Sequence, residues 1–396
     1  MERITIIDGF RGFFLIFMMI MHSNELLNAI LGKLNHHYFG WVEDAQGFVF
    51  LSGLVVGLVY TRQMERRGTD AMRRGIWKRI GTIYSHQAGL IMTFLLAALM
   101  LPTGIEPMNL APYEREPVVF TAASLMLVTG SRHMGILPMY IFFMMATPFV
   151  LRALARGHFA MLSVISVSLW LFAQTGLPEE VVILASQVSA DAGHPIRFGI
   201  FFNIFAWQIV FFLGLVIGYL TASGRMDTSF LYTPDMERAF FVAVAAVIAL
   251  GLFDRVVFDY WIGVEFRHQV LSSVDRGNFS SLYLVAFLID LFVIVWLLGP
   301  GRTSHIRIVA LASALMHRVF TFGPLVFLGQ HSLHVFSAHI LCVYVLALVL
   351  HGTQLSPLVG NLLILLSPLP LYLAAWGHQV MVSRDRAKSE TARAKA

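Results

Sequence analysis

The sequence has a single cysteine and little charge. Only 13% of its 396 residues are Asp, Glu, Lys or Arg, whereas soluble domains carry about 25%. Because Cys342 stands alone in an apolar run, disulfides and cysteine-ligated metals are excluded, and we interpret it as a small packed hydrophobe. No hydrophilic stretch is long enough to form a soluble domain. These absences exclude a disulfide-stabilised scaffold and a soluble multidomain enzyme.

Motifs for metals, nucleotides and acyl-serine chemistry are also missing. The 15 histidines form no His-Glu-x-x-His set, and we attribute the adjacent pair His36-His37 to chance. Gly-rich nucleotide loops are absent, and Ser52 does not lie in a nucleophile elbow. A net charge of +5 is typical of basic cytoplasmic loops, so we expect no nucleic-acid partner. We expect no metal and no permanently bound cofactor.

Apolar residues make up 57% of the chain, mean hydropathy is +0.73, and apolar runs recur from end to end. The runs are continuous rather than alternating, which indicates helices. We predict an all-α, polytopic bundle of about 10 (10–12) transmembrane helices with short partial helices. It would form one membrane domain over residues 1–382, followed by a basic tail over 383–396. The apolar segments are 10–29, 47–61, 80–101, 118–130, 136–151, 159–176, 198–221, 239–258, 281–299, 306–328, 333–350 and 358–382.

Basic residues predict the orientation. The loop 62–79 and the tail from Ser383 are rich in Lys and Arg, so both should be cytoplasmic, and the N-terminus with them. This requires an even number of crossings. The weak segment 118–130 should not cross. Either one later segment also fails to cross, or the tail is not cytoplasmic; we favour ten crossings. Loops 102–117, 177–197 and 259–280 then face outward. We interpret the first segment as a retained helix, because no cleavage pattern follows it.

Arg11 and His22 share the first apolar segment. Their spacing of eleven residues returns to within about 20° of one helix face and separates them by roughly 16 Å of depth. Ionisable groups inside a bilayer are costly and commonly functional. The spacing suggests a channel with an anion held at the mouth and a reactive group below. The alternative is a histidine that is packed and hydrogen-bonded within the bundle.

Several motifs resemble the acyltransferase-3 family of membrane acyltransferases. Ile7–Gly12 followed by His22 is similar to the Asp-x-x-Arg-Gly start and the Arg-to-His spacing of that family. Other segments resemble its OpgC branch, which is associated with attaching succinyl groups to osmoregulated periplasmic glucans. The segments that resemble this branch are Arg79–His86, Leu137–Tyr140 and Phe202–Gln208, whereas Gly47–Gly53 and Leu328–Leu333 with His339 resemble the family as a whole. The resemblance covers about residues 3–345.

The resemblance and the residue chemistry together imply a catalytic scheme. We predict that His22 is the general base, because an imidazole near neutral pKa can take a proton from an attacking hydroxyl. Acyl-CoA (succinyl-CoA or acetyl-CoA) would be a co-substrate, and arginines suit its phosphates. The predicted donor-binding residues are Asp8, Arg11, Arg79, Tyr84 and His86. The predicted acceptor-binding residues are Tyr140, Asn203, Trp207, Gln208 and His339.

Alternatives are open for several of these residues. Asp8 can pair with Arg11 or cap the first helix, and Glu25 can orient His22 or lie at a solvated helix end. Tyr84 and His86 suit interface anchoring, and Asn203, Trp207 and Gln208 suit helix–helix contacts or an aromatic belt. The family commonly has an Arg-x-x-Arg pair ending at the position of Arg79. Here Ile76 replaces the first arginine, and the nearby basic residues are Arg73, Arg74 and Lys78.

The expected protein is therefore a multi-pass O-acyltransferase of the bacterial inner membrane. Its partners would be the lipid bilayer, acyl-CoA and a periplasmic glucan, with a homo-oligomer left open. Acetyl transfer to another envelope polysaccharide or lipid-linked sugar is the nearest alternative. A proton-coupled transporter or flippase using His22 and the intramembrane Asp290 is a second, and a non-catalytic membrane subunit is a third.

Overall fold

The computed structural model of the chain describes residues 5–34, 36, 41–101, 110–253, 274–353 and 355–395. Within those ranges the regular elements are helices. Most residues of the predicted outward loops 102–117 and 259–280 lie outside the described residues. The helices are α1 (Thr5–Leu27), α2 (Asp44–Met100), α3 (Ala111–Arg115), α4 (Pro117–Leu125), α5 (Ile136–Ala155), α6 (Phe159–Gln174), α7 (Leu177–Asp191), α8 (Ile204–Ala222), α9 (Pro234–Leu252), α10 (Ser281–Leu298), α11 (Arg307–Phe320), α12 (Gly323–Gln330), α13 (Ser332–Leu350), α14 (Pro357–Leu366) and α15 (Leu369–Lys395).

Helix α2 folds back on itself at Gly68. This residue has φ 81° and ψ 170°, a conformation that a helix does not contain and that glycine tolerates. Fifteen residues of unbroken helix would place Tyr60 roughly 22 Å from Gly75. Instead, the Tyr60 hydroxyl donates to the Gly75 carbonyl at 3.3 Å, and Gln63 donates to the Ala71 carbonyl at 2.9 Å. The two arms of α2 therefore run antiparallel, and together they contain two of the predicted apolar segments.

Seven helices of the described residues are long and apolar enough to cross a membrane. The number rises to nine if each of two bent pairs, α6 with α7 and α11 with α12, forms one span. The predicted class, an all-α polytopic membrane bundle, is confirmed. This number is below the predicted ten partly because α2 is counted as one helix, although its two arms contain two of the predicted apolar segments.

Two weak segments differ in how they fold. Helix α4 has nine residues and is about 14 Å long, which is too short to cross a bilayer. This agrees with the prediction that segment 118–130 does not cross. The predicted outward loop 177–197 is instead mostly helical, as α7. Pro178 occupies the first turn of α7, and Glu179 and Glu180 stabilise that amino end electrostatically. The prediction placed a loop here because 177–197 lies between two apolar segments, whereas Pro178 and the acidic residues after it favour a helix start.

Contacts divide the chain into two compact units. We call residues 1–35 with 314–396 the terminal unit and residues 36–313 the central unit. The prediction of one membrane domain over 1–382 stays a prediction, since contact density does not show whether either unit folds alone. The predicted tail 383–396 continues α15 as helix through Lys395.

The central unit is built around a glycine seam between α2 and α8. A Cβ on Gly53 or Gly57 would lie 2.0 Å from the Phe211 carbonyl oxygen or 2.3 Å from that of Leu215. Gly214 and Gly218 face the carbonyls of Phe50 and Leu54 in the same way, at 2.2 and 2.3 Å. Small residues four apart on both helices let membrane helices approach closely. Because residue numbers rise together along the seam, α8 runs parallel to the first arm of α2.

Candidate active site

The terminal unit holds α1 against α12 at backbone contact. A Cβ on Gly12 would lie 1.9 Å from the Leu325 carbonyl oxygen, and one on Gly329 would lie 1.8 Å from that of Asp8. No side chain can replace these glycines without the two helices separating. The seam therefore fixes the start of α1, and Arg11 with it, against the end of α12.

The chain between α11 and α13 stays at this level of α1. At the end of α11, the Phe320 ring stacks on Phe10 with centroids 3.5 Å apart. At the start of α13, Ser332 accepts a hydrogen bond from the guanidinium of Arg11, the residue after Phe10. Helix α12 lies between those two contacts and has eight residues, about 12 Å of length. Because Leu325 and Gly329 of α12 also meet α1, at Gly12 and Asp8, α12 crosses α1 at this one level.

Arg11 is held by two neighbours. Its guanidinium donates to the buried Ser332 hydroxyl and lies 3.9 Å from an Asp8 carboxylate oxygen one turn earlier. The predicted Asp8–Arg11 pair is thus present in the structure. An arginine held on two sides has one orientation, which suits the binding of a phosphate group.

His22 lies against two polar groups. Its ring stacks on that of His339, with centroids 5.2 Å apart and 26° between the planes. Its Nδ1 lies 3.5 Å from an Oε1 of Glu25, one turn later on α1. His339 is 1% exposed. The structure therefore adds His339 to His22 and Glu25, the two residues that the sequence analysis had already linked.

These contacts form a polar strip along two parallel helices. Arg11 and His22 lie eleven residues apart on α1, and their partners Ser332 and His339 lie seven apart on α13. Each interval is close to a whole number of helical turns, so each pair of residues shares one helix face. Lower residue numbers meet lower ones, so α1 and α13 run in the same direction. The strip runs from the guanidinium of Arg11 at one end to the stacked rings of His22 and His339 at the other, along helices that are otherwise mostly apolar.

A second histidine cluster adjoins the start of α13. His331, in the break between α12 and α13, lies with its Nδ1 at 2.7 Å from Nδ1 of His378 on α15. The His334 ring stacks on His378 at 3.6 Å between centroids. These contacts tie α15 to the break that presents Ser332.

The other predicted donor residues lie in the second arm of α2, within the central unit. Arg79 and His86 are half-buried, and the exposed Tyr84 donates its hydroxyl to the Leu125 carbonyl at 3.0 Å. Ile76, at the position where the resemblance led us to expect the other arginine, is fully buried. The nearby basic residues Arg73, Arg74 and Lys78 are exposed, so none of them replaces an arginine that would be buried at position 76.

Three of the predicted acceptor residues have their polar groups engaged inside the central unit. Asn203 caps α8 at the Phe205 amide and donates to Asn278 at 2.8 Å. Trp207 donates its indole N–H to the carbonyls of Arg276 and Gly277. Gln208 exchanges hydrogen bonds of 2.8 Å with the Ser166 hydroxyl and backbone carbonyl. The fourth, Tyr140, is half-buried and packs edge-on against Phe211. Their role in acceptor binding stays a prediction.

Two further residues complete the comparison with the sequence. Ser332 was not predicted as a site residue, although it belongs to the quoted segment Leu328–Leu333. Its hydrogen bond with Arg11 could not be predicted from the sequence spacing, because 321 residues separate the two. Asp290, half-buried in α10, makes no ion pair with a described residue. The sequence offers Arg255 or Arg318 as its partner; Arg255 lies outside the described residues, and Arg318 belongs to the terminal unit.

The fold and this strip define a class, a polytopic helical membrane protein with an intramembrane arginine–histidine site. A family model described as OpgC protein matches residues 3–382, so the chain belongs to the OpgC family. Membership implies a membrane-bound transferase, an acyltransferase acting on glucans. No curated protein and no solved structure matches the chain.

Proposed function

We propose that the protein transfers a succinyl group from acyl-CoA, bound from the cytoplasm, to a hydroxyl of a periplasmic glucan. It would do so in the bacterial inner membrane, with both termini cytoplasmic. The family supports an acyltransferase for glucans. The succinyl group, the CoA donor and the direction of transfer are our proposal.

The observation that carries this proposal is the strip from Arg11 to His22. Ser332 and Asp8 hold the Arg11 guanidinium in a fixed orientation at the end of α1 that the basic loops predict to be cytoplasmic. Arg11 is suited to grip a phosphate of the CoA head group there. The narrow pantetheine arm then extends along α1 toward His22, roughly 16 Å deeper.

His22 activates the acceptor in this scheme. The Oε1 atom of Glu25 lies 3.5 Å from Nδ1 and occupies that side of the ring, so Nε2 is the nitrogen that faces the acceptor. The Nε2 atom removes the proton from a glucan hydroxyl while the hydroxyl oxygen attacks the thioester carbonyl carbon. The new C–O ester bond forms, the C–S bond breaks, and the CoA thiolate takes the proton back from His22. Free CoA thiol and an acylated glucan are the products.

The test is turnover by purified protein given succinyl-CoA and glucan. Released thiol is measured with a thiol reagent, and acylated glucan is measured by mass spectrometry. His22→Ala should lower kcat by about 10²–10⁴-fold, the usual contribution of a general base, with an unchanged protein level. His351→Ala, an exposed histidine beyond the end of α13, is the matched control and should retain full activity.

Other outcomes distinguish the rival functions. If the protein uses acetyl-CoA in preference to succinyl-CoA, the proposed donor is wrong and the proposed mechanism is unaffected. Glucan transport without thiol release would point to a transporter that uses Asp290 and His22. Substantial turnover by His22→Ala would reject His22 as the base.

A further inference from the structure

The second arm of α2 presents a basic surface just after the turn at Gly68. Residues 62–79 contain seven Lys or Arg residues and only two acidic ones. Arg74 and Lys78 are both exposed and lie one helical turn apart, so their side chains are neighbours on one face of this arm. Trp77 lies on the same face. We call Arg74, Trp77 and Lys78 the basic–aromatic face.

The positive charge of this face is not neutralised within the described part of the chain. The two acidic residues of the hairpin are Glu65 and Asp70, and a carboxylate oxygen of Asp70 lies 4.0 Å from the guanidinium of Arg73. Neither Arg74 nor Lys78 forms an ion pair with a residue that the structure describes. Like charges one turn apart repel each other. An anion placed between the two side chains relieves that repulsion.

The exposed side chains change in character along this arm. Trp77 is 51% exposed, whereas its neighbour Ile76 is fully buried. Tryptophan is enriched where a membrane meets water. Further along, the large exposed side chains are apolar, namely Met92, Leu96 and Leu99. The order from basic through aromatic to apolar is the order of environments in a bilayer, from the head groups to the hydrocarbon.

Small polar side chains on the exposed surface of this arm are suited to lipid contact. Thr82, Ser85 and Thr93 are exposed, and each donates its hydroxyl to a backbone carbonyl four residues earlier, at 3.1, 2.8 and 2.8 Å. Because these hydroxyl donors are used within the helix, hydrocarbon chains can cover them without leaving an unpaired donor.

The ligand that matches this surface carries a negative charge next to a long apolar part. A small soluble anion would use the two cations but would leave the Trp77 ring and the apolar surface beyond it uncovered. A phospholipid matches all of these parts, because its phosphate, its glycerol and its acyl chains follow one another over the same distance.

We propose that the basic–aromatic face binds an anionic glycerophospholipid, with the lipid phosphate between Arg74 and Lys78 and the Trp77 ring against the glycerol and the first chain carbons. The predicted orientation places this face at the cytoplasmic leaflet. Anionic lipids of that leaflet attract basic segments next to a membrane span. The proposal does not depend on acyl transfer.

The test removes both cations. Each basic residue near an anionic membrane surface contributes about fivefold to binding, so Arg74→Gln with Lys78→Gln should lower bound phosphatidylglycerol about tenfold or more. The matched control is Arg152→Gln with Arg156→Gln, an exposed basic pair of the same spacing that has no aromatic residue between its members. The control should retain phosphatidylglycerol like the wild type. Arg74→Lys with Lys78→Arg keeps both charges and should retain it as well.

Two measurements on the full-length protein report the lipid. Native mass spectrometry of protein given equal amounts of phosphatidylglycerol and phosphatidylcholine counts the lipid that stays bound. In nanodiscs, brominated lipids quench the fluorescence of nearby tryptophans, and the difference between wild type and Trp77→Phe isolates the signal of Trp77. Brominated phosphatidylglycerol should quench that signal more strongly than brominated phosphatidylcholine at the same content.

Several outcomes overturn the proposal. Equal retention of phosphatidylglycerol by the wild type and the Arg74–Lys78 double variant would do so, as would an equal loss in the Arg152–Arg156 control, because attraction would then follow from charge at any position. Displacement of phosphatidylglycerol by coenzyme A would assign the face to a soluble phosphate ligand instead. If the double variant does not fold, equal quenching of Trp77 by the two brominated lipids still rejects the site.

Discussion

The imidazole rings of His22 on α1 and His339 on α13 lie face to face, with centroids 5.2 Å apart. His339 is almost completely buried, so it gives His22 one fixed neighbour within the bundle. The same two helices also join Arg11 to Ser332. One helix pair thus positions both ends of the proposed donor path.

Replacing His339 tests whether it positions the base. His339→Phe keeps a flat ring against His22 but removes both ring nitrogens, and we expect kcat to fall about tenfold or more while the donor KM is unchanged. His339→Gln restores a polar group and should recover part of kcat. The quantities to measure are kcat and KM with succinyl-CoA. Equal activity of His339→Phe and wild type would contradict a positioning role.

Ser332 should affect donor binding rather than chemistry. Ser332→Ala removes the acceptor that holds the Arg11 guanidinium, so the donor KM should rise about threefold to tenfold with little change in kcat. Arg11→Lys replaces a fork of donors by a point charge and should raise the KM about tenfold or more. Ser337→Ala, whose hydroxyl bonds within its own helix to the Leu333 carbonyl, is the control. A loss confined to kcat would contradict this assignment.

The glycine seam of the terminal unit should not tolerate a methyl group. A Cβ at Gly12 or Gly329 would overlap a backbone carbonyl oxygen, and only separation of the helices can relieve that overlap. Gly12→Ala and Gly329→Ala should therefore lower the stability by about 3 kcal/mol or more, at the upper end of ordinary substitutions. Gly89→Ala has open space and should be neutral or stabilising. Thermal unfolding of the detergent-solubilised proteins measures the difference.

The position of α12 predicts the crossing number. Because α12 stays at the level of Asp8–Gly12 on α1 along its length, segment 306–328 is our candidate for the later segment that does not cross. Ten crossings then remain, with both termini cytoplasmic. In a Cys342→Ala background, Lys33→Cys should react with an impermeant maleimide added to spheroplasts. Thr303→Cys and Ala387→Cys should react only after the membrane is opened. Labelling of Ala387→Cys in sealed spheroplasts would contradict this topology.

Local sequence predicted much of the secondary structure. Continuous apolar runs predicted the spanning helices α1, α5, α8, α10 and α13, because each run alone satisfies the length and polarity that a bilayer requires. The helix α7 was missed, because its segment lies between two apolar runs and was assigned as a loop although its first turn carries helix-start residues. The reversal within α2 was expected from the basic loop, but its position at Gly68 was not.

Along one helix, residue spacing is enough to place side chains, and so the alignment of Arg11 with His22 and the pairing of Asp8 with Arg11 could be inferred from the sequence by itself. Contacts between helices have no such rule. The partners Ser332 and His339 and the engagement of Asn203 and Gln208 as internal hydrogen-bonding groups depend on which helices touch and at what depth. Glycine seams and backbone carbonyls decide that packing, and their partners are hundreds of residues distant in the chain, so only the tertiary structure shows them.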